Sequence, residues 1–312
     1  MDKKGKKQFL GFTLACLALS APGIAQSEKL IDYVNPFVGT DGYGNVYPGA
    51  QIPFGGIQIS PDTNHRFYDA ASGYKYNHTS LMGFSLTHLS GTGIPDLGDF
   101  LFMPGTGEAK LTPGTPENPD EGYRSRYSHE REQATPNYYT VHLDDYGVKA
   151  EMTSGLRSGM FRFTYPKAEK AFILIDLNHT LWQSCEWANL RMVNDSTLTG
   201  YKLVKGWGPE RHVYFTATFS KKLDGLRIMQ DGKPVIYNTS RFRSDREAWG
   251  KNLVACISFA TREGEEVTVK TAISAVSTDG AARNLRELDG LTFNALKTRG
   301  EELWEEELSK YT

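Results

Sequence analysis

The chain has 312 residues, of which 39% are hydrophobic, and this is enough for one large packed domain or two small ones. Its 35 basic and 37 acidic residues leave a formal net charge of −2 at pH 7. Proteins that bind nucleic acid or an anionic membrane surface carry a clear basic excess, so the composition favours neither partner.

The N-terminus has the pattern of an export signal. The basic run MDKKGKKQ precedes FLGFTLACLALSAPGIA, an apolar segment that is too short to span a membrane. Gly23 and Ala25 fit the small-residue positions before a cleavage site. We therefore expect a signal peptide over residues 1–25, no transmembrane segment, and a periplasmic or extracellular protein. Cys16 leaves one alternative, a lipoprotein signal whose lipid anchors the protein at the outer membrane.

If Cys16 is removed with the signal, the remaining cysteines are Cys185 and Cys256. An exported compartment permits a disulfide, and an even pair fits one. The alternative is two separate buried thiols in strands. Neither cysteine lies in a CxxC or Cys/His pattern, so the sequence does not predict a structural zinc site.

From about residue 30 to residue 275 the sequence indicates many short strands divided by turns. Five segments combine β-branched and aromatic residues with partial alternation: GMFRFTY (159–165), KAFILID (170–176), HVYFTATF (212–219), LVACISFA (253–260) and EEVTVKTAIS (265–274). This pattern, without long helical segments, predicts an antiparallel sandwich or barrel. The Pro-, Gly- and charge-rich region from about 104 to 137 is predicted to be a surface loop.

The last forty residues have a helical pattern. Residues 281–288 and 291–308 are the predicted helices. The second has an apolar stripe formed by Phe293, either Leu296 or Leu291, Trp304 and Leu308. Such a stripe is explained equally well by docking on the chain's own sandwich or by the start of a second, helical domain.

Two stretches are rich in glycine and proline, whose backbone conformations differ from those of other residues. PGAQIPFGGIQISPDTN (48–64) contains more proline and glycine than a packed strand needs, and it indicates a turn-rich strand pair. GFSLTHLSGTGIPDLGDFLFMP (83–104) places His88 beside Gly91, Gly93 and Asp96. Glycines beside a histidine and a carboxylate let the backbone approach a ligand closely, and short polar groups in loops commonly hold sugars. The alternative for His88 is a hydrogen-bonded histidine at a strand end.

The sequence does not identify a catalytic pair. Ser90 and Ser158 lack the nucleophile-elbow pattern, and the two carboxylates of a glycoside hydrolase are defined by their spatial separation. The candidate carboxylates, each also explained as a turn or solvated residue, are Asp62, Asp69, Asp96, Asp99 and Glu186.

Other polar and aromatic features are weaker signals. Trp182, Trp187 and Trp207 are candidate sugar-stacking platforms, although tryptophans more often lie in a core or a domain interface. Asn178-His179-Thr180 is one of four Asn-x-Ser/Thr sequons, which we expect to be unmodified because the signal is of bacterial type.

Together, three segments resemble glycoside hydrolase family 92, the exported exo-acting α-mannosidases. They are YVNPFVGTDGYGNVYPGAQIPFGGIQISPDT (33–63), SGYKYNHTSLMGFSLTHLSGTGIPDLGDFLFMP (72–104) and ISAVSTDGAARNLREL (273–288). The first two segments contain both of the stretches described above.

The resemblance implies a two-domain enzyme. Its N-terminal part is a large antiparallel β-sandwich of the galactose-mutarotase-like supersandwich type, expected here over residues 30–280. Residues 281–312 are then a helical linker that leads to an (α/α)₆ barrel outside this chain. The family is calcium-dependent and hydrolyses terminal α-linked mannose, for example α-1,2-linked, with inversion. Its general acid, general base and most calcium ligands lie in the barrel, so no catalytic residue is expected in this chain.

The resemblance also implies that the N-terminal domain contributes loops that close over the sugar site. We place in these loops, as substrate-binding residues, Gly55, Gly56, Asp62, His88, Gly91, Gly93 and Asp96. The implied partners are mannose-containing glycans and the chain's own C-terminal barrel. A free-standing carbohydrate-binding β-sandwich is the alternative function.

Overall fold

A computed structural model describes Met1 and residues 29–64, 70–236 and 244–311. The predicted signal peptide over residues 1–25, with Cys16, and the candidate carboxylate Asp69 lie outside the described residues. Among the helices of the described part, none is both long and apolar enough to cross a membrane.

Within the described ranges, two antiparallel sheets pack face to face. In spatial order, the seven-stranded sheet consists of β1 (Ser60–Asp62), β3 (Gly83–Ser85), β4 (Leu101–Thr106), β10 (Ala168–Asp176), β17 (Leu253–Thr261), β14 (Leu226–Gln230) and β15 (Lys233–Pro234). The nine-stranded sheet consists of β16 (Glu247–Gly250), β11 (Ser184–Asn194), β12 (Thr197–Lys205), β13 (Arg211–Phe219), β18 (Glu265–Ser274), β9 (Ser158–Tyr165), β8 (Val148–Ser154), β7 (Tyr138–Leu143) and β6 (Glu132–Thr135). A separate pair is formed by β2 (Ser80–Leu81) and β5 (Ser125–Arg126).

The sequence pattern of each strand matches its place in the sandwich. In β9 the aromatic side chains of Phe161, Phe163 and Tyr165 are buried, while the intervening Arg162 and Thr164 are half-buried on the other face. In contrast, residues 171–176 of β10 are all buried, because β10 lies in the middle of its sheet between β4 and β17. Its continuous apolar run is typical of a strand covered on both faces.

The core between the sheets is aromatic. Phe102 of β4 lies 5.1 Å from Phe161 of β9, centroid to centroid, and Phe100 lies 4.4 Å from Phe215 of β13. Full burial of one such side chain stabilises a fold by about 1.5–3 kcal/mol. The predicted all-β antiparallel sandwich with a helical end is confirmed.

Two α-helices, α1 (Thr278–Leu285) and α2 (Phe293–Leu308), end the described chain, and both begin at a side-chain N-cap. Among the described residues, 3₁₀ helices are formed by Leu30–Tyr33, Pro119–Glu121, His129–Arg131, Arg286–Leu288 and Ser309–Tyr311. Phe293 and Leu296 of α2 are buried, and the Trp304 indole donates to the carbonyl of Gln51 at 2.6 Å. The helix therefore docks on its own sandwich, but Trp304 and Leu308 are only half-buried, so this docking covers part of the apolar stripe.

The prediction of a surface loop from about 104 to 137 is only partly right. Tyr123 is fully buried, and its hydroxyl donates to Asp176 Oδ2 at 2.8 Å. The region also contains β5 and β6. Its prolines and glycines shape the connections between these elements.

The predicted Cys185–Cys256 disulfide is not formed. Both cysteines are free and buried, Cys185 on the nine-stranded sheet and Cys256 on the seven-stranded sheet. Cys185 Sγ donates to the carbonyl of Trp187 at 3.6 Å, and Cys256 Sγ lies 3.9 Å from Ser258 Oγ. Burial raises the pKa of both thiols, which keeps them protonated. The alternative of two separate thiols describes this structure.

Candidate functional site

Asp62, the last residue of β1, accepts a hydrogen bond from a different histidine at each carboxylate oxygen. Oδ1 lies 2.8 Å from His88 Nε2, and Oδ2 lies 2.8 Å from His179 Nε2. All three residues are buried, and the Asp62 and His88 side chains are fully sealed from solvent. His88 follows β3 and His179 follows β10, so this group, the Asp62 cluster, joins three separate segments.

The partners of His88 fix where its protons lie. Nδ1 is 2.8 Å from the carbonyl oxygen of Gln58, which can only accept, so Nδ1 donates. Nε2 faces the Asp62 carboxylate and donates as well. Burial by itself raises the pKa of Asp62, but the charge of His88 and the hydrogen bonds from His88 and His179 outweigh it and hold the pKa well below its ordinary value. Asp62 is therefore a buried carboxylate that stays ionised.

A second buried carboxylate, Asp99, has two cationic partners. Lys202 Nζ lies 3.3 Å from Oδ1 and Arg211 Nη1 lies 2.6 Å from Oδ2, while the Thr87 hydroxyl donates to Oδ2 at 2.7 Å. Burial raises the pKa of Asp99, but the two cations outweigh it and keep the pKa well below its ordinary value. Lys202 Nζ also donates to the carbonyl of His179 at 2.5 Å, so it links Asp99 to the Asp62 cluster.

Close packing around the Asp62 cluster requires a glycine at position 73. Gly73 has a φ of +90°, in the left-handed region, and a Cβ atom there would overlap Asp62 Oδ1. The backbone of this segment therefore seals one side of the carboxylate, and any larger residue would displace it.

The first glycine-rich stretch connects to the cluster through Gln58. Its Nε2 donates to the carbonyl of Gly55 at 2.8 Å, while its own backbone carbonyl accepts from His88. Gly56 N donates to the carbonyl of Leu156 at 2.7 Å, at the tip of the β8–β9 hairpin. Gly55 is buried and Gly56 is exposed, so this turn lies at the edge of the site rather than inside it.

The second stretch has an exposed tip and a buried base. Gly91 and Gly93 are exposed, and a Cβ atom at either position would meet nothing within 4 Å in the described structure. Asp96 is buried at the base, where it accepts hydrogen bonds from the backbone N–H of Leu97 at 2.6 Å and from Gln183 Nε2 at 2.5 Å. The tip of this loop is thus exposed while its base is held by hydrogen bonds, and the Gly91 N–H already donates to the carbonyl of Asn45 at 2.7 Å.

Of the predicted site residues, only Asp62 and His88 touch each other directly. Gly55 is joined to them through Gln58. Of the others, Gly56, Gly91 and Gly93 are exposed, whereas Asp96 is buried at the base of its loop. The structure adds three residues that the sequence reasoning missed, His179, Lys202 and Arg211. In the alternation of β12, Lys202 occupies a buried position between Gly200 and Val204, and this signal would have indicated a buried cation with a carboxylate partner.

The described residues do not fit a metal ion. In the ranges that the structure describes, no group of three or more His, Cys, Asp or Glu side chains is arranged so that it could hold a metal ion. Both oxygens of Asp62 and of Asp99 are already engaged by imidazole or cationic groups, so neither carboxylate is free to bind calcium.

The three candidate tryptophans separate into two places. Trp182 and Trp207 line one open cleft at the end of β11 and β12. Trp187 is half-exposed on the outer face of β11, away from this cleft.

Comparison with known proteins identifies the family. A sequence model described as the glycosyl hydrolase family 92 N-terminal domain matches residues 33–274. The chain belongs to glycosyl hydrolase family 92. The resemblance drawn from the three sequence segments is thus confirmed.

Solved GH92 structures have the same fold as this chain. The α-mannosidase BT3965 from Bacteroides thetaiotaomicron is 82% identical, with a TM-score of 0.90 over 92% of this chain. Its complex with mannoimidazole gives a TM-score of 0.89 at 83% identity, over 91% of this chain and 37% of that one. The inverting mannosidase BT2199 from the same organism, at 23% identity over 90% of this chain and 36% of that one, shares the fold with a TM-score of 0.74.

This GH92 chain is shorter than the proteins it matches. It spans 39% of the BT3965 chain. A curated relative, an uncharacterized secreted glycosidase from Arthroderma benhamiae, is 28% identical over 167 residues, which are 49% of this chain and 20% of that protein.

Proposed function

We propose that this chain is the N-terminal domain of a secreted α-mannosidase that hydrolyses terminal α-linked mannose, for example α-1,2-linked, from glycans with inversion. The observation that carries the proposal is the 82% identity to the α-mannosidase BT3965 over 92% of the chain. Residues 30–280 are then the sandwich domain, and residues 281–312 lead to a barrel domain that completes the enzyme. The secreted relative and the signal pattern of residues 1–25 support export.

In this proposal the sandwich shapes the sugar site. The Asp62 cluster ties β1 to the segments after β3 and β10, and the loop that starts at His88 carries Gly91 and Gly93 at its tip. The Asp62 and His88 side chains are sealed from solvent and do not contact the substrate themselves. In this proposal they hold the loop in position. Exposed glycines let backbone N–H and C=O groups approach a sugar closely.

The reacting groups lie outside this chain. Inverting hydrolysis needs one carboxylic acid that protonates the leaving oxygen and one carboxylate that activates water, about 6.5–9.5 Å apart. Asp62 and Asp99 have pKa values held well below their ordinary range, so neither would be protonated and able to act as the acid. As the resemblance to the family implies, we place the acid, the base and most ligands of the calcium ion in the barrel.

An exposed apolar patch next to the helical end supports a domain contact. Phe54 is 84% exposed and Leu156 is 42% exposed, and their turns are joined by the Gly56–Leu156 hydrogen bond. Behind them lies a cavity of about 250 Å³ whose apolar lining includes Ile52 and Leu296. We assign this patch to the contact with the chain's own C-terminal barrel.

Activity of the full-length protein tests the proposal. We expect it to release mannose from α-linked mannosides in the presence of calcium, to lose this activity on chelation, and to regain it when calcium is restored. No release of mannose from α-1,2-, α-1,3- or aryl α-mannosides would refute the proposal. Mannose binding without turnover by the full-length protein would instead favour the carbohydrate-binding sandwich.

A further inference from the structure

The loop over residues 88–98, here called the sugar loop, is closed at its base by the residues on either side of it. Leu86 N donates to the carbonyl of Asp99 at 2.8 Å, and Gly98 N donates to the carbonyl of Thr87 at 2.9 Å. The side chains add a second connection, because the Thr87 hydroxyl donates to Asp99 Oδ2 at 2.7 Å and accepts from Asp99 N at 3.1 Å. The position of Asp99 therefore helps to set the position of the whole loop.

The base of the sugar loop has a backbone conformation that needs support. Leu97, Gly98 and Phe100 have φ angles of 75°, 76° and 55°, all in the left-handed region. Leucine and phenylalanine rarely adopt this conformation, and it persists only where the surrounding structure holds it. One support is the hydrogen bond from Leu181 N to the carbonyl of Leu97 at 3.0 Å. The other is the carboxylate of Asp99, which lies within the strained segment and is bound by cations.

The two cations that bind Asp99 differ in burial and in geometry. Lys202 is sealed from solvent, and its Nζ lies 3.3 Å from Oδ1 of Asp99. Arg211, the first residue of β13, contacts both carboxylate oxygens, with Nη1 2.6 Å from Oδ2 and Nη2 3.2 Å from Oδ1. Because 27% of the Arg211 side chain is exposed, water can reach Asp99 when the arginine is removed, and we expect the fold to survive this loss. Only the planar guanidinium, however, fixes both oxygens at once.

We propose that Arg211 is a positioning residue of the enzyme, which holds Asp99 and thereby keeps the sugar loop in the shape that receives the mannoside. This inference rests on the proposed function, in which the exposed glycines of the loop approach the sugar. Arg211 acts here through Asp99 and not through a contact with the substrate. Without the guanidinium, the loop has its competent shape for only a fraction of the time, and the apparent affinity for the substrate falls by that fraction. Saturating substrate restores the competent shape, so kcat is retained.

Steady-state kinetics of the full-length enzyme on an aryl α-mannoside test this role. We expect Arg211→Ala to raise KM about 10-fold and to leave kcat within about threefold of the wild type. Arg211→Lys keeps the charge but loses the second contact, so its KM should lie between those of the wild type and Arg211→Ala. Arg126→Ala is the matched control, because Arg126 makes the same two-point contact with Asp120 at the exposed surface, and it should change neither value. A lower kcat at unchanged KM in Arg211→Ala would show that the arginine only stabilises the fold, and it would overturn the inference.

Amide hydrogen exchange of the full-length protein separates this inference from the proposed function, because it does not depend on activity. The N–H groups of Gly98 and Asp99 are hydrogen-bonded to Thr87, and we expect Arg211→Ala to speed their exchange about 10-fold while the amides of β9 keep their rates.

Each combination of exchange and kinetics decides between the two proposals. If exchange accelerates in the sugar loop alone but the wild type hydrolyses no mannoside, the support of the loop by Arg211 stands and the proposed enzyme activity fails. If the wild type is active and Arg211→Ala changes neither exchange nor KM, the inference is overturned and the activity stands. Faster exchange throughout the chain in Arg211→Ala also overturns the inference. Unchanged exchange in the variant together with an inactive wild type overturns both.

Discussion

Replacing Asp62 by alanine should destabilise the chain by about 3–5 kcal/mol, the cost of breaking a buried charge pair by removing one partner. Asp62 accepts two hydrogen bonds of 2.8 Å from imidazole groups, and bonds to a charged acceptor contribute about 1.5–3 kcal/mol each. The alanine variant would also leave His88 Nε2 buried beside a void. For a domain of this size about 1 kcal/mol corresponds to about 2–4 °C in Tm, so we expect a loss of about 10 °C.

The pH dependence of the free energy of unfolding is a second measure of the contribution of Asp62. The pKa of Asp62 is depressed in the folded chain, whereas in the unfolded chain an aspartate titrates near about 3.9. In acid, the Asp62 carboxylate therefore binds a proton in the unfolded state but not in the folded state. The stabilisation by Asp62 is fully present above about pH 5 and is lost as the pH falls through about 4 toward the folded pKa. In Asp62→Asn the side-chain oxygen can accept from His179 Nε2, and the amide can donate to His88 Nε2 once His88 has lost its Nε2 proton. The substitution therefore removes the charge of the cluster and keeps both bonds.

Urea unfolding of the wild type, Asp62→Ala and Asp62→Asn at pH 7 and pH 4 measures both effects. We expect Asp62→Asn to cost less than Asp62→Ala at pH 7, and the difference between wild type and Asp62→Asn to shrink at pH 4. Asp120→Asn is the control, because Asp120 pairs with Arg126 at the solvent-exposed surface and should leave stability unchanged. An Asp62→Ala variant as stable as Asp120→Asn, or a pH-independent difference, would refute the reasoning.

Three further predictions concern other parts of the structure. Lys202→Met should cost about 2–4 kcal/mol in urea unfolding, because Asp99 then keeps one cationic partner instead of two, and a loss below about 1 kcal/mol would contradict this. Cys185 and Cys256 should both be alkylated in urea without reductant, and a peptide linking the two in mass spectrometry would show that the thiols are not free. Phe54→Asn should raise the free energy of unfolding of this chain by about 0.5–1 kcal/mol, because asparagine tolerates a φ of 58° better, and a measured decrease would argue against strain at this turn.

The strands could be predicted from sequence because their signals are local. Alternation and β-branched content place β9, β10, β13, β17 and β18 within about two residues of their ends. The order of strands in the sheets is not encoded locally. β10 pairs with β4 and β17, which are distant in sequence, and only tertiary packing selects these partners.

The residues of the candidate site show the same difference between local signals, which the sequence reports, and long-range contacts, which it does not. Asp62 and His88 were found because each lies in a segment of unusual composition. His179 was missed because it lies in a sequon, and because its contact with Asp62 spans 117 residues of sequence, a distance that no local pattern reports. The buried Lys202 was predictable in principle, since a lysine in the inward register of a strand must find a carboxylate.

The composition of the stretch from Pro48 to Asn64 has two separate causes. Most of it is explained inside this chain: a Cβ atom at Gly49 would overlap the carbonyl of Ile59, and Pro61 lies on β1, an edge strand that tolerates the missing N–H. Phe54 is different, because it is 84% exposed with a φ of 58°, and the described chain offers nothing that compensates for either feature. A partner surface that buries the ring would compensate for both. The sandwich therefore accounts for Gly49 and Pro61, and the exposed ring of Phe54 is the feature of this stretch that we assign to the proposed contact with the barrel.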